Sequence, residues 1–273
     1  MIDMNLSSKH RINVICAPIS KEIQRVDKAI KELLIDMDLI TGKKYNYRSK
    51  NHITKRIRQA MILLPVKSLN INNDKVLEDK IITFAAAVEI VFNAIRLHDD
   101  ISELSVLSGD MLQTIALLVG LDIFSKDLLL ELTKMIEKSC YRRISDELEK
   151  SEDKYKDKES YIKSVRNKTG ELMGTFVKLG VYLSRINEND TEAIIFKNYG
   201  YNIGMALHIM DDTINNRREK LSFEVLPLIK PFAEDAARSV KGLKESPYKN
   251  NLLKLTDYFI DFSQNKIART DIY

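Results

Sequence analysis

The run IITFAAAVEIVFNAI, residues 81–95, constrains this chain more than any other stretch. It is apolar on nearly every face, so a helix built from it must be covered on all sides. It is also shorter than the ~20 apolar residues that a membrane span needs, so a soluble core helix is expected. The whole chain of 273 residues holds Gly 9 and Pro 5. So few breakers leave room for long uninterrupted helices. ISKEIQRVDKAIKELLIDM (19–37) places apolar residues at three- and four-residue spacing and predicts an amphipathic helix. TKRIRQ reads as the end of a polar, basic connection leading into the apolar AMILLPV. SGDMLQTIALLVGL reads as a second buried helix capped at Ser108–Gly109–Asp110, and 126–150 as an amphipathic one. YIKSVRNKTGELMGTFVKLGVYLSRI and AIIFKNYGYNIGMALHIMDDTINN complete the long segments. Period-2 strand patterns and linkers are not evident, so a single all-α domain over 1–273 is expected.

Composition narrows the function classes. A net charge of +4 with bases and acids interspersed, and Trp 0, gives no reason to expect a nucleic-acid partner. Cys16 and Cys140 match no metal spacing and read as reduced thiols of a cytoplasmic protein. The N-terminal stretch lacks the apolar core of a signal peptide.

Carboxylates close two of the apolar helices. RLHDDISE follows the first run and MDDTINNRRE ends another roughly a hundred residues later. Burying an unpaired carboxylate costs several kcal/mol, so acids there are surface residues, ion-paired or metal-bound. At helical spacing Asp99 and Glu103 share a face with Asp100 beside them; Asp211, Asn215 and Glu219 share another, with Asp212 adjacent. Two oxygen-rich faces across a cavity suit Mg²⁺, which completes its shell with water and substrate phosphates. Metal binding alone names no reaction.

An ordered series of motifs between about residue 50 and 230 resembles the trans-isoprenyl diphosphate synthases. TKRIRQ is similar to that family's GGKRxRP, FAAAVEIVFNAIRLHDDISE to the helix bearing DDxxD, and SGDMLQTIALLVG to the following GDYLL-type helix. NKTGELMGTFVKLG, YGYNIGMALHIMDDTIN and FEVLPLI resemble KTAxLF…LG, FGxxLGxAFQxxDDxxD and KxTLPLI. The resemblance implies a class I terpenoid synthase fold, long antiparallel helices around a central cavity. It implies an Mg²⁺-dependent prenyltransferase joining an allylic prenyl diphosphate to isopentenyl diphosphate. Asp99, Asp100, Glu103, Asp211 and Asp212 would be metal ligands, and Lys55, Arg56 and Arg58 the grip on isopentenyl diphosphate. Lys168 and Thr169 would lie beside the leaving diphosphate. The residue five before the first motif limits chain growth in that family; here Ala94, with Ile95 beside it and Val91 a turn below, leaves the tunnel open to a C20 or longer product. A homodimer or a heterodimer with a homologous subunit is implied as well.

The departures are as specific. The loop with paired arginines after the first motif is missing, the histidine that helps hold isopentenyl diphosphate is Phe92, and the Gln before the second motif is His208. Lys220 is the sole nearby candidate for the phosphate-binding lysine of the next loop. Asp211, Asn215 and Glu219 also have the spacing of the metal triad of class I terpene cyclases, which act on one prenyl diphosphate. A regulatory subunit of a heteromeric synthase is the third reading.

Overall fold

The computed structural model describes residues 7–35, 52–69, 74–98, 102–148, 157–184, 190–214 and 223–264. Among these the regular structure is helical throughout, with no strand: α1 (Ser8–Cys16), α2 (Ser20–Leu33), α3 (His52–Ser68), α4 (Lys75–His98), α5 (Glu103–Ile123), α6 (Lys126–Leu148), α7 (Lys158–Val165), α8 (Glu171–Leu183), α9 (Asp190–Ile214), α10 (Ile229–Lys241) and α11 (Pro247–Ser263). The helical segments pack around one continuous apolar core. This is the all-α terpenoid synthase fold that the resemblance implies.

α4 is the central helix that its sequence requires. Phe84, Ala86, Val88 and Ile90 are each no more than 1% exposed. It packs on α5, α2, α3 and α8. α8 and α9 run antiparallel at close range because glycines face side chains across the interface. A Cβ on Gly204 would stand 2.8 Å from that of Met173, and one on Gly174 would stand 2.9 Å from the Lys197 carbonyl oxygen. Real side chains do not tolerate such approaches, so this contact needs glycine.

Four local expectations are corrected. TKRIRQ is not a connection but the opening of α3, whose apolar Ile53, Ile57 and Ala60 are buried between the bases. α5 begins at Glu103, where Ser102 caps the Ser105 amide, so Ser108–Gly109–Asp110 lies inside the helix. α5 is also not buried: Leu104, Leu107, Leu118 and Leu121 are all more than half exposed. Finally, Glu103 is an exposed residue that opens α5 after an extended Ser102.

Candidate active site

Pairwise contacts show which residues share one end of the bundle. Along α6 and α8, Lys178 Nζ meets Glu131 at 2.8 Å and Ser139 Oγ donates to the Lys168 carbonyl at 3.0 Å. The two helices thus run in opposite directions. α8 and α9 are likewise antiparallel: Gly200 lies on Val177, Gly204 on Met173, and Thr169 meets His208. On α4, Phe84 faces Gly180 whereas Phe92 meets the Phe176 ring. The C-terminal ends of α4 and α9, Lys168 and Ser139 therefore gather together. Arg142 and Arg143, half-buried and one turn beyond Ser139 on α6, lie on the same wall.

At that end Asp212 accepts a hydrogen bond from Tyr161 and lies beside the Thr169–His208 pair. Thr169 Oγ1 and His208 Nδ1 are 2.7 Å apart, His208 Nε2 lies 3.5 Å from Asp212 Oδ2, and the Tyr161 hydroxyl donates to the same oxygen at 3.0 Å. Thr169 belongs to a π-helical turn, Arg166–Gly170, a widening often found where a helix serves a site. Tyr161 is 2% exposed and rests edge-on against Phe223. It was not singled out from sequence, because nothing around it marks a tyrosine seven residues before Lys168. Asp211, next along α9, faces a different wall. Burial first, and the Asp211 charge with it, push the Tyr258 hydroxyl of α11 up to about 12, against the lowering effect of Ser8 and Arg11.

Asp99, Asp100, Asn215, Glu219 and Lys220 lie outside the described residues. Among the described residues no three His, Cys, Asp or Glu side chains converge on one point. Asp211 and Asp212 are nevertheless half-buried hard-oxygen donors. Such a small carboxylate set fits Mg²⁺, which keeps waters and phosphate oxygens in its shell, better than a metal that needs a closed cage.

The three cations that open α3 already have anionic partners. Lys55 Nζ and Arg56 Nη2 each lie 2.8 Å from the Asp27 carboxylate of α2, one on either oxygen, and Gln59 Nε2 donates to it at 3.0 Å. Arg58 makes a two-pronged pair with Glu89 (3.0 and 2.8 Å), a carboxylate 1% exposed within α4. Its guanidinium also stacks over Phe92, 5.0 Å from the ring centroid. Phe92 thus supports Arg58 through its π face, where a histidine would have offered a ring nitrogen.

An apolar chamber of about 10 Å³ lies between α4, α5, α6 and α8, walled by Val88, Val91, Val119 and Leu132 and floored by Phe84, Phe124 and Phe176. Phe84 meets Phe124 edge-on at 5.2 Å and Phe176 at 6.3 Å. Of the three chain-length candidates, Val91 lines this chamber. Ala94 and Ile95 do not, and the Ala94 carbonyl packs towards Gly109 of α5. A wider cleft of about 420 Å³ runs over the outer side of α7, away from the chamber, and is lined by Lys158, Glu159, Ile162, Lys163 and Arg166.

The polyprenyl synthetase family model matches residues 102–238. The chain is 27% identical over 217 residues to a short chain isoprenyl diphosphate synthase of Methanocaldococcus jannaschii, covering 71% of this chain and 62% of that protein. It is 27% identical over 225 residues to a geranylgeranyl diphosphate synthase of Methanosarcina mazei, covering 72% and 65% of the two lengths. In three dimensions it is similar to a polyprenyl synthase from Caulobacter crescentus, solved with calcium and isoprenyl diphosphate. That likeness has a TM-score of 0.72 at 18% identity and covers 91% of this chain and 98% of the other.

Proposed function

Because the chain belongs to the polyprenyl synthetase family, we propose that it is a trans-prenyltransferase joining an allylic prenyl diphosphate to isopentenyl diphosphate. The observation that carries this reading is the gathering of Asp212, Thr169 and Lys168 at one end of the bundle, above an apolar chamber, with Asp211 adjacent on α9. In each turn of the reaction one C–O bond breaks and one C–C bond forms. One proton and one pyrophosphate leave.

Asp211 and Asp212, with Asp99 and Asp100, would hold Mg²⁺. Bound there, the metal supplies the positive charge that stabilises a departing diphosphate. The residues of the chain do the rest. Tyr161 and His208 hold Asp212 in one orientation. Thr169 anchors the His208 ring, and the Lys168 ammonium binds diphosphate oxygens with Arg142 and Arg143 on the same wall. Val88, Val91 and Phe176 keep water from the allylic cation.

The product is C20 or longer. α4 rises about 1.5 Å per residue, which puts Phe84 about 21 Å below His98, the last described residue of that helix. The chain works in the cytoplasm as a homodimer through the exposed leucines of α5 with Leu130, Tyr141 and Ile144 of α6. An apolar stripe of that extent is rarely left uncovered.

The test is mass analysis of products from purified protein, Mg²⁺ and allylic diphosphates. Longer diphosphates formed only when isopentenyl diphosphate is present support the synthase. Hydrocarbon or alcohol formed without it would assign the chain to the cyclases, and inactivity until a homologous chain is added to regulatory subunits. Asp211→Ala and Asp212→Ala should each abolish elongation with the helical signal unchanged.

A further inference from the structure

Lys55, Arg56 and Gln59 project from the first two turns of α3 and converge on a single anion. That anion is Asp27, on a helix whose only sequence signature is its amphipathic spacing. Its two oxygens take a cation each, at 2.8 Å, and Gln59 adds a third donor at 3.0 Å. Arg56 is itself braced by Gln59 through a 2.7 Å bond from Nη1 to Oε1. Lys55 and Arg56 are 13% and 18% exposed at the side chain, and Asp27 is 26%. The seat is thus walled but open to solvent on one side. Two cations and an amide donor around one carboxylate are the donors a phosphate group would use, since phosphate oxygens and carboxylate oxygens accept the same charge-assisted bonds.

We propose that Asp27 is a built-in occupant of the diphosphate seat on α3, and that isopentenyl diphosphate must displace it to bind. The inference rests on the synthase reading for the identity of that ligand. Its physical content is a competition. Displacement leaves Asp27 half-buried and without three donors, so part of the binding energy is lost in clearing the seat. Burial alone would raise the Asp27 pKa, yet the bonds from Lys55, Arg56 and Gln59 outweigh it and hold the carboxyl below its ordinary range. It is therefore a charged occupant at neutral pH. The second grip is limited in the same direction, because Arg58 is already committed to Glu89 and Phe92.

The sign separates this role from a merely structural ion pair between α2 and α3. Removing a structural pair weakens everything the cations do, whereas removing a competitor tightens the ligand. The experiment is calorimetric titration of the full chain with isopentenyl diphosphate in EDTA, where metal-held diphosphate does not contribute. Asp27→Asn, which keeps an acceptor for Lys55 but removes the charge, should bind about tenfold more tightly than the wild type. Equal or weaker binding by the folded variant overturns the proposal. In the wild type, the ¹³C signal of the Asp27 carboxyl group, assigned by its change in Asp27→Glu, should shift when the ligand is added; an unmoved signal at saturation overturns it without any loss-of-charge variant. Both measurements need no turnover, so a chain that elongates no allylic diphosphate would sink the synthase reading and leave this result readable.

Discussion

α4 and α5 are consecutive helices of similar length and apolar character, and both are long and apolar enough to cross a membrane by composition alone. Their environments are opposite. In the most apolar window of each, α4 is 67% buried and α5 is 28% buried. α4 is enclosed by α2, α3, α5 and α8. α5 leans on α4 along one side and barely touches α6. Leu104, Leu107, Leu118 and Leu121 recur at the spacing of one helical face and form a stripe on its other side. Apolar composition states that a helix will be covered but does not state by what. One of these helices is covered by its own chain and lines the apolar chamber, and the other presents the surface on which the proposed second copy docks.

The strongest way to break this contrast is to remove a ring from α4. Phe84→Ala should cost about 3–5 kcal/mol, because the ring contacts both Phe124 and Phe176 and leaves a cavity that rigid neighbours cannot fill. Denaturant unfolding measures it, and a cost under about 1 kcal/mol would mean the floor is loosely packed. The matching change on α5, Leu107→Lys with Leu121→Lys, should leave helix content intact and halve the mass in light scattering, since a specific interface of about 800 Å² per partner does not survive two buried charges. An unchanged dimer would place the interface elsewhere.

Ala94→Phe sharpens the division further. It should shorten the product by at least one isoprene unit, whereas Leu118→Phe on the outer face of α5 should leave product length alone. Ala94 lies above the chamber rather than on its wall, so an unshortened product would give chain-length control to Val91 and the Phe84–Phe124 floor. The smallest effect is at the base of α4. Glu78 is held below its ordinary range by Arg25 first and Lys67 second. A depressed carboxylate contributes stability above the pKa of the unfolded chain, about 4, and loses it as pH falls through the lower folded value. Glu78→Gln should therefore cost under about 1 kcal/mol at pH 7 after solvent screening, and the difference from wild type should vanish below about pH 3. A cost that persists in acid would assign the effect to packing.

Much of the fold was legible because helical periodicity is a local property. IITFAAAVEIVFNAI specified a covered helix, and the spacing of ISKEIQRVDKAIKELL specified α2. What escaped was set by partners distant in sequence. TKRIRQ looked like a solvated connection because its cations dominate the composition; the structure places Asp27 and Glu89 against those cations, and neither is identifiable from α3 itself. Tyr161 likewise matters through Asp212, far along the chain. Ser108–Gly109–Asp110 imitates a cap, but Ser102 comes earlier and is followed by residues with good helix propensity, so α5 starts there. Gly109 instead makes room for the His98 ring. The acidic clusters were visible as residue types at spacings, while the extended Ser102 that makes Glu103 the first residue of α5 was not.

The central claim, that this chain elongates an allylic diphosphate above an enclosed apolar helix, is tested most directly by stoichiometry. Isopentenyl diphosphate consumed and pyrophosphate released are measured together, with allylic diphosphate and Mg²⁺ present. One C–C bond replaces one C–O bond in each turn, so one pyrophosphate is expected per isopentenyl diphosphate consumed, and none when either substrate is omitted. Pyrophosphate released from the allylic diphosphate alone, with isopentenyl diphosphate untouched, would contradict the account.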